Sequence, residues 1–513
     1  MTSGKQRLVR ALAAGLAIAV LATGCGADAG SPQGSSEPAV VKWAFSLPTS
    51  WDPVTSRTGN DINTISLAYA SLTKLDAEGN VQPALAESWK YDASGTAVTF
   101  KLREGLTFTD DTALDADAVK KFFDRGKTQK DSFLRDQLAT VKDVTADSPL
   151  EVTLHLAAPD YQIPYLVAGR TGAISSPKAA ATDTAKLSLW PVGAGPFEIV
   201  DFVPESHAYF KKNEHYWDAA NIHIDRFELS LAPDAATLVA GVQSGSIDVA
   251  TLPARKVDEA KAAGLSVDIK PSLAASDVSI NLNKAPFNNP KVVEAFRYAF
   301  DRQEFVNVLT AGQGSITHQP FPDGYIAFAP EAEKLWDYDP DRAAKLLKEA
   351  GYESGQLSLT ITAGAFSQST AEVVQAQLKK IGVGSDIKVV PAGSSTWQNE
   401  VYIAKNPVIA VDGTIGRESP VQNLLATYGP EGIMNLSGPH ADSAFLKALD
   451  VVRNTPLDAP NYKDVLHAAV VEGVKQSPTN YIYSNPWVVV SNPALSNLQI
   501  LPSQIRWEGV TVK

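Results

Sequence analysis

The 513-residue chain carries 45 basic and 57 acidic residues, a net charge of −12, with 44% hydrophobic residues and one cysteine. An acidic balance of this size argues against a nucleic-acid partner, and a lone cysteine excludes an intramolecular disulfide and a zinc site built from several cysteines. The length suffices for two or three domains and a large apolar interior.

Lys5, Arg7 and Arg10 form a basic start, Ala11 to Ala22 an apolar run, and Thr23-Gly24 a small-residue approach to Cys25, the layout of a secretion signal. The run is too short to anchor in a bilayer. This pattern resembles a bacterial lipoprotein signal, except that Leu21 lies four residues before the cysteine and Ala22 takes the usual leucine position. The resemblance implies cleavage before Cys25, acylation of its thiol, and an extracytoplasmic protein held to the cell membrane by lipid. The competing reading is a buried free cysteine behind an ordinary signal. Loss of residues 1–24 removes three basic and no acidic residues, leaving 489 residues with a net charge of −15. No later apolar stretch reaches the ~18 residues of a spanning helix. Residues 25–39 comprise the lipidated cysteine and a Gly-, Ser-, Pro- and Gln-rich tether that has little apolar surface to bury.

Folding is expected to begin near Val40, with Val40 to Phe45 as a first strand and Ser46 to Pro53 as a loop leaving it. Asp76-Ala77-Glu78-Gly79-Asn80 has turn composition between apolar runs, a hairpin signal, and Val98 to Arg103 alternates like a strand with one wet face. Asp110-Asp111 calls for a turn in which aspartate takes the left-handed conformation. Gly193 and Gly195, beside Pro191 and Pro196, read as a tight backbone turn. Asp234 to Gly245 reads as helix and stop, followed by a strand at Ile247-Asp248-Val249. Asn289-Pro290 opens a helix with Val292, Val293, Phe296, Ala299 and Phe300 inward, and Asp301 with Glu304 resembles a capping box. Asp339 caps a helix with Pro340 in its first turn, Ala343, Leu346, Leu347 and Ala350 as its buried stripe, and Gly351 as its stop. This mixture of strands and helices without a fixed repeat indicates an α/β or α+β protein.

Five blocks occur in an order similar to that of family 5 of the solute-binding proteins of bacterial ABC importers, the oligopeptide, dipeptide and nickel group. They are Tyr69 to Trp89 continuing through Val98 to Phe108, then Pro191 to Phe197, Ser244 to Val249, and Asn281 to Phe287 before the Asn289 helix. The resemblance implies a two-lobed α/β, periplasmic-binding-protein-like fold with an inserted subdomain in lobe I, closing by hinge motion around a solute. The implied organisation is residues 40–65, 190–271 and 481–513 in lobe I, 66–189 as its insertion, and 272–480 as lobe II. The implied role is a receptor without cofactor or catalysis, which delivers a small peptide or peptide-like solute to a permease and ATPase complex. A metal-chelate receptor and an oligosaccharide receptor are the alternatives within that family.

Peptide-binding members carry a Trp-x-Ala-Asp-Tyr-x-Asp/Glu-Pro motif whose first aspartate holds the peptide amino terminus. Alignment on Pro420 puts Gly416 in that position and Ser419 at the later acidic one, so the usual amine anchor is expected to be absent. Arg417 and Glu418 are candidates to bind a carboxylate or an amine instead, and Asp412 is a possible substitute acid. Tyr69, Trp190 and Trp397 are candidate aromatic walls, with Trp43 and Trp51 also near the inferred lobe edges. No Gly-x-Ser-x-Gly, His-Glu-x-x-His or Walker sequence occurs. Asp337-x-Asp339-x-Asp341 fails as a calcium loop, having Arg342 and Lys348 at the required Gly and Glu positions. His207, His215 and His223 lack a recognised metal-ligand spacing, and no metal site is expected.

Overall fold

Val40–Phe45, the expected first strand, lies at the centre of a seven-stranded sheet in the computed structural model, which describes residues 37–391, 396–438, 443–476 and 478–513. It pairs in parallel with Arg226–Leu231 on one side and Val249–Thr251 on the other. His207–Lys212 and Phe197–Val203 extend one edge, and Trp487–Ser491 with Ser266–Lys270 the other, all antiparallel. Trp43 stacks on Phe45 at 4.6 Å and meets Trp507 edge-on at 5.1 Å, filling the core of this lobe. Trp43 and Trp51 are therefore core residues, 0% and 1% exposed, rather than cleft walls.

Lobe II is built on a six-stranded sheet ordered Ser315–Ile316, Thr479–Ser484, Ala274–Ile280, Ile409–Ile415, Ser358–Gly364, Gly384–Val390. Its last three strands run parallel to one another, whereas Ala274–Ile280 is antiparallel to both of its neighbours. Val278, Ile280, Ile409 and Val411 point into a core shared with helices Pro290–Tyr298 and Gln368–Lys380. Strand alternation therefore sends Asp277, Ser279 and Asp412 to the opposite face.

The chain passes between the lobes at residues 271–273 and 485–486. There Ser272 Oγ donates to the Asn485 carbonyl and Asn485 N–H donates to the Ala274 carbonyl at 2.8 Å. The expected 480/481 boundary falls inside Thr479–Ser484, because that strand stays paired with Ala274–Ile280 before crossing. The 65/66 boundary likewise cuts helix Ile62–Ala68. Between the first strand and Phe197 lies a four-stranded antiparallel sheet, Ala86–Tyr91, Ala97–Leu102, Glu151–Leu156, Val141–Ser148, covered by helix Ala116–Thr128. Arg125 of that helix makes two 2.7 Å hydrogen bonds to the buried Asp52 carboxylate, joining the insertion to lobe I.

Local signals hold at most positions. The hairpin pairs Thr73–Leu75 with Val81–Pro83, Asp111 sits at φ 63°, and Asn289 and Asp339 cap their helices. Three readings change. The strand after Gly245 begins at Val249, because Ile247 folds back over Gly241. Glu304 accepts from Gln377 and Lys380, while Asp301 N–H donates to Gln377, so the capping box is half formed. At Gly193 and Gly195 the constraint is close approach: an added Cβ would meet Ala68 backbone at 2.3 and 2.4 Å. Cys25 and the secretion signal lie outside the described residues. No helix among the described residues is long and apolar enough to cross a membrane.

Candidate functional site

The carboxyl end of Ile409–Ile415 leads into a loop that ends at Ser419, whose hydroxyl caps helix Pro420–Tyr428 by accepting from Gln422 N–H at 3.3 Å. Pro420 thus serves as the first helical residue. A Cβ on Gly416 would meet Leu273 Cβ at 2.5 Å, so the peptide-anchoring aspartate of the family motif has no room here. Gly416 N–H also donates to the Leu273 carbonyl at 2.9 Å, pinning the loop to the interlobe crossing.

The loop touches lobe I at two places. Ile415 and Gly416 carbonyls lie 3.7 and 3.8 Å from the position a Cβ would take on Gly59, and the Glu418 carboxyl covers Gly169. The facing lobe I loop is rigid: Asp61 accepts from Thr49, Ser56 and Thr58 hydroxyls, and Arg170 donates to the Ser56 carbonyl at 2.6 Å. Burial pushes Glu418 upward in pKa against the pull of Arg170 and Arg417, and pushes both arginines downward. The Arg417 guanidinium completes no hydrogen bond or ion pair among the described residues. A cation–anion cluster with unused donors therefore stands where the lobes meet.

A second polar group lies on the face of the lobe II sheet opposite its apolar core. Asp277 and Asp412 are register partners on adjacent antiparallel strands and are 1% and 4% exposed. Ser279 donates to Asp277 at 2.9 Å, while Tyr402 hydroxyl and Gly413 N–H donate to Asp412 at 2.6 and 2.8 Å. Burial and the facing Asp412 carboxylate push Asp277 up to about 8; burial, opposed by the Tyr402 bond, pushes Asp412 up to about 6. Trp397 packs with Val401, Ala410 and Leu436, and stands edge-on to Tyr402 and to Phe366, at 6.2 and 6.0 Å.

The structure brings Asp412 and Trp397 together through Tyr402, and groups Arg417 and Glu418 separately with Arg170 at the lobe junction. Tyr69 is elsewhere: it is 2% exposed in the lobe I core, its ring against Gly193, and so does not form a cleft wall. Trp190 ends helix Thr184–Leu189 on the lobe I surface, 38% exposed. Asp277, Tyr402, Phe366, Gly169 and Arg170 were not anticipated. Only Asp277 had a local signal, as the single acid in the strand Ala274–Ile280. Among the described residues no group of three or more His, Cys, Asp or Glu side chains is placed to hold a metal ion. A surface cleft of about 510 Å³, lined by Arg103, His215 and Trp217 among others, lies on lobe I and its insertion, remote in sequence from the Asp412–Pro420 loop.

Residues 80–435 match the model of bacterial extracellular solute-binding proteins, family 5. The chain belongs to that family. Glutathione-binding protein GsiB of Escherichia coli K12 is 32% identical over 339 residues, 65% of this chain and 65% of GsiB, so the match spans just under two thirds of that relative. The dipeptide-binding protein of Pseudoalteromonas sp. SM9913, solved with Met-Leu, superposes with a TM-score of 0.78 at 22% identity, covering 92% of this chain and 100% of that one. NikZ of Campylobacter jejuni, solved with Ni(L-His), gives 0.76 at 20% identity, covering 90% and 96%. These two likenesses establish the two-lobed fold that this family member shares.

Proposed function

We propose that this chain is the solute receptor of a bacterial ABC importer, held outside the cytoplasm by lipid on Cys25, and that it captures a small peptide or peptide-like organic solute between its lobes without converting it. The observation that carries this reading is the Arg170, Arg417 and Glu418 cluster at the lobe junction, where Arg417 has unspent donors. A guanidinium with free N–H groups in a partly desolvated cleft suits a carboxylate. The relatives that bind glutathione and Met-Leu, both carrying carboxylates, support that class.

Native mass spectrometry of protein purified from its source, followed by thermal unfolding with the ligand found, tests the reading. A native-state ligand at 100 times its Kd adds about 2.7 kcal/mol, and scattering should report a more compact particle. A bound nickel chelate or oligosaccharide would redirect the solute class, and chemical conversion of the ligand would overturn the receptor reading. Cys25→Ser should release processed protein from the membrane with solute affinity intact; continued retention would remove the lipid anchor from the proposal.

A further inference from the structure

Like charges on directly opposed strand residues destabilise a sheet, and buried carboxylates ordinarily meet a cation. Asp277 and Asp412 break both rules. Their facing titratable groups are Tyr402 above the sheet, Tyr428 from helix Pro420–Tyr428 and Tyr481 from the neighbouring strand. Among the described residues no lysine, arginine or histidine pairs with either acid. Three buried polar atoms around them also lack partners: Asp277 Oδ2, the Tyr428 hydroxyl and the Trp397 indole nitrogen. Trp397 is 6% exposed, and its N–H draws Asp412 downward in pKa without reaching hydrogen-bond geometry.

We infer that Asp277 and Asp412 form the subsite for a cationic arm of the solute, an ammonium or guanidinium, seated beneath Trp397 and Tyr402. The assignment rests on the receptor reading above and names the solute class within it. Such a group brings three to five N–H donors to Asp277 Oδ2, which has no partner among the described residues, and to the remaining lone pairs of the other carboxylate oxygens, and aromatic faces beside it add cation–π attraction. A chain of contacts links the pair to the surface: Phe366 is 68% exposed and stands edge-on to Trp397, which stands against Tyr402, whose hydroxyl donates to Asp412. An organic cation fits better than a metal ion, since two carboxylates and a phenol are too few ligands for calcium, and the site lacks the nitrogen or sulfur ligands that nickel or zinc favours. Below about pH 8 the raised Asp277 carboxyl favours a proton on the unliganded pair, and the arriving cation displaces it to solvent.

The test is calorimetry on the mature protein with Ala-Arg, Ala-citrulline and N-acetyl-Ala-Arg. Ala-Arg should bind at least about ten-fold tighter than Ala-citrulline above pH about 8, with the advantage shrinking below pH about 6, while N-acetylation costs little. Asp412→Asn and Asp277→Asn should erase the arginine preference. Tyr402→Phe, which keeps the ring, should reduce it and preserves the test if a carboxamide variant misfolds. Equal binding of Ala-Arg and Ala-citrulline, or a preference unchanged in these variants, overturns the cation subsite and leaves the receptor reading standing. Failure of every dipeptide, together with no ligand in native mass spectrometry, overturns both.

Discussion

The Glu418 carboxyl group of lobe II lies directly over Gly169 of the lobe I insertion, its carbon 2.4 Å from where a Cβ on Gly169 would stand. The contact exists only while the lobes are together, and it needs glycine on one side. Gly169→Ala should therefore oppose closure. Scattering with saturating solute should show a less compact particle than wild type, with weaker affinity. Shortening the other partner, in Gly169→Ala/Glu418→Ser, should restore compaction; unchanged closure in the single variant would show that Glu418 swings aside freely.

Arg417 is expected to clamp a solute carboxylate. Arg417→Ala should weaken binding of a free-acid peptide by about 2–5 kcal/mol, much of it from leaving the ligand charge unpaired, and should weaken the C-terminal amide far less. Equal losses for acid and amide would make Arg417 a packing residue of the loop.

Gly416→Asp restores the family's anchoring residue in sequence but not in space. Its Cβ would strike Leu273 at 2.5 Å beside Asn423 at 3.1 Å. Overpacking of this kind typically destabilises by about 1–3 kcal/mol, so denaturation should report a loss of that order with no gain for peptides bearing a free amine. A gained amine preference would mean the loop can reopen.

Asp52, 0% exposed at its side chain, takes two bonds from Arg125, its only cationic partner among the described residues, and one from Val54 N–H at 3.1 Å. Arg125→Met should cost about 3–5 kcal/mol, the usual penalty for stranding one buried partner. Urea unfolding measures it. Asp52→Asn/Arg125→Met should recover part of that loss.

The Asp277 and Asp412 carboxyls are raised from an unfolded value of 3.8 to about 8 and about 6. Between those limits the folded protein holds protons that the unfolded chain has released, so their contribution is complete below about pH 4 and is lost as pH rises through about 6 and about 8. Unliganded wild type should therefore lose stability with rising pH relative to Asp277→Asn/Asp412→Asn, as read from urea midpoints. Parallel pH profiles would place a compensating cation beside the pair.

Local chemistry was legible in the sequence wherever one short segment satisfied its own constraint. Asp339 with Pro340, Asn289 with Pro290, Gly245 at φ 74° and Asp111 at φ 63° all show caps and turns whose partners lie within four residues. The ordered blocks from Tyr69 to Phe287 carried the family for the same reason, since spacing along the chain survives in a string of letters. The missing anchor at Gly416 was also visible, although its cause, the approach of Leu273, was not. The tertiary structure alone decided which residues share a site. Tyr69 and Trp43 have the composition of cleft walls but fill the lobe I core. Asp277 faces Asp412, 135 positions further along the chain, because strand register, set by the apolar alternation of two separate segments, turns both to one face. Burial, and with it the removal of solvent that raises both carboxyls, belongs to that three-dimensional arrangement and to no single stretch of sequence.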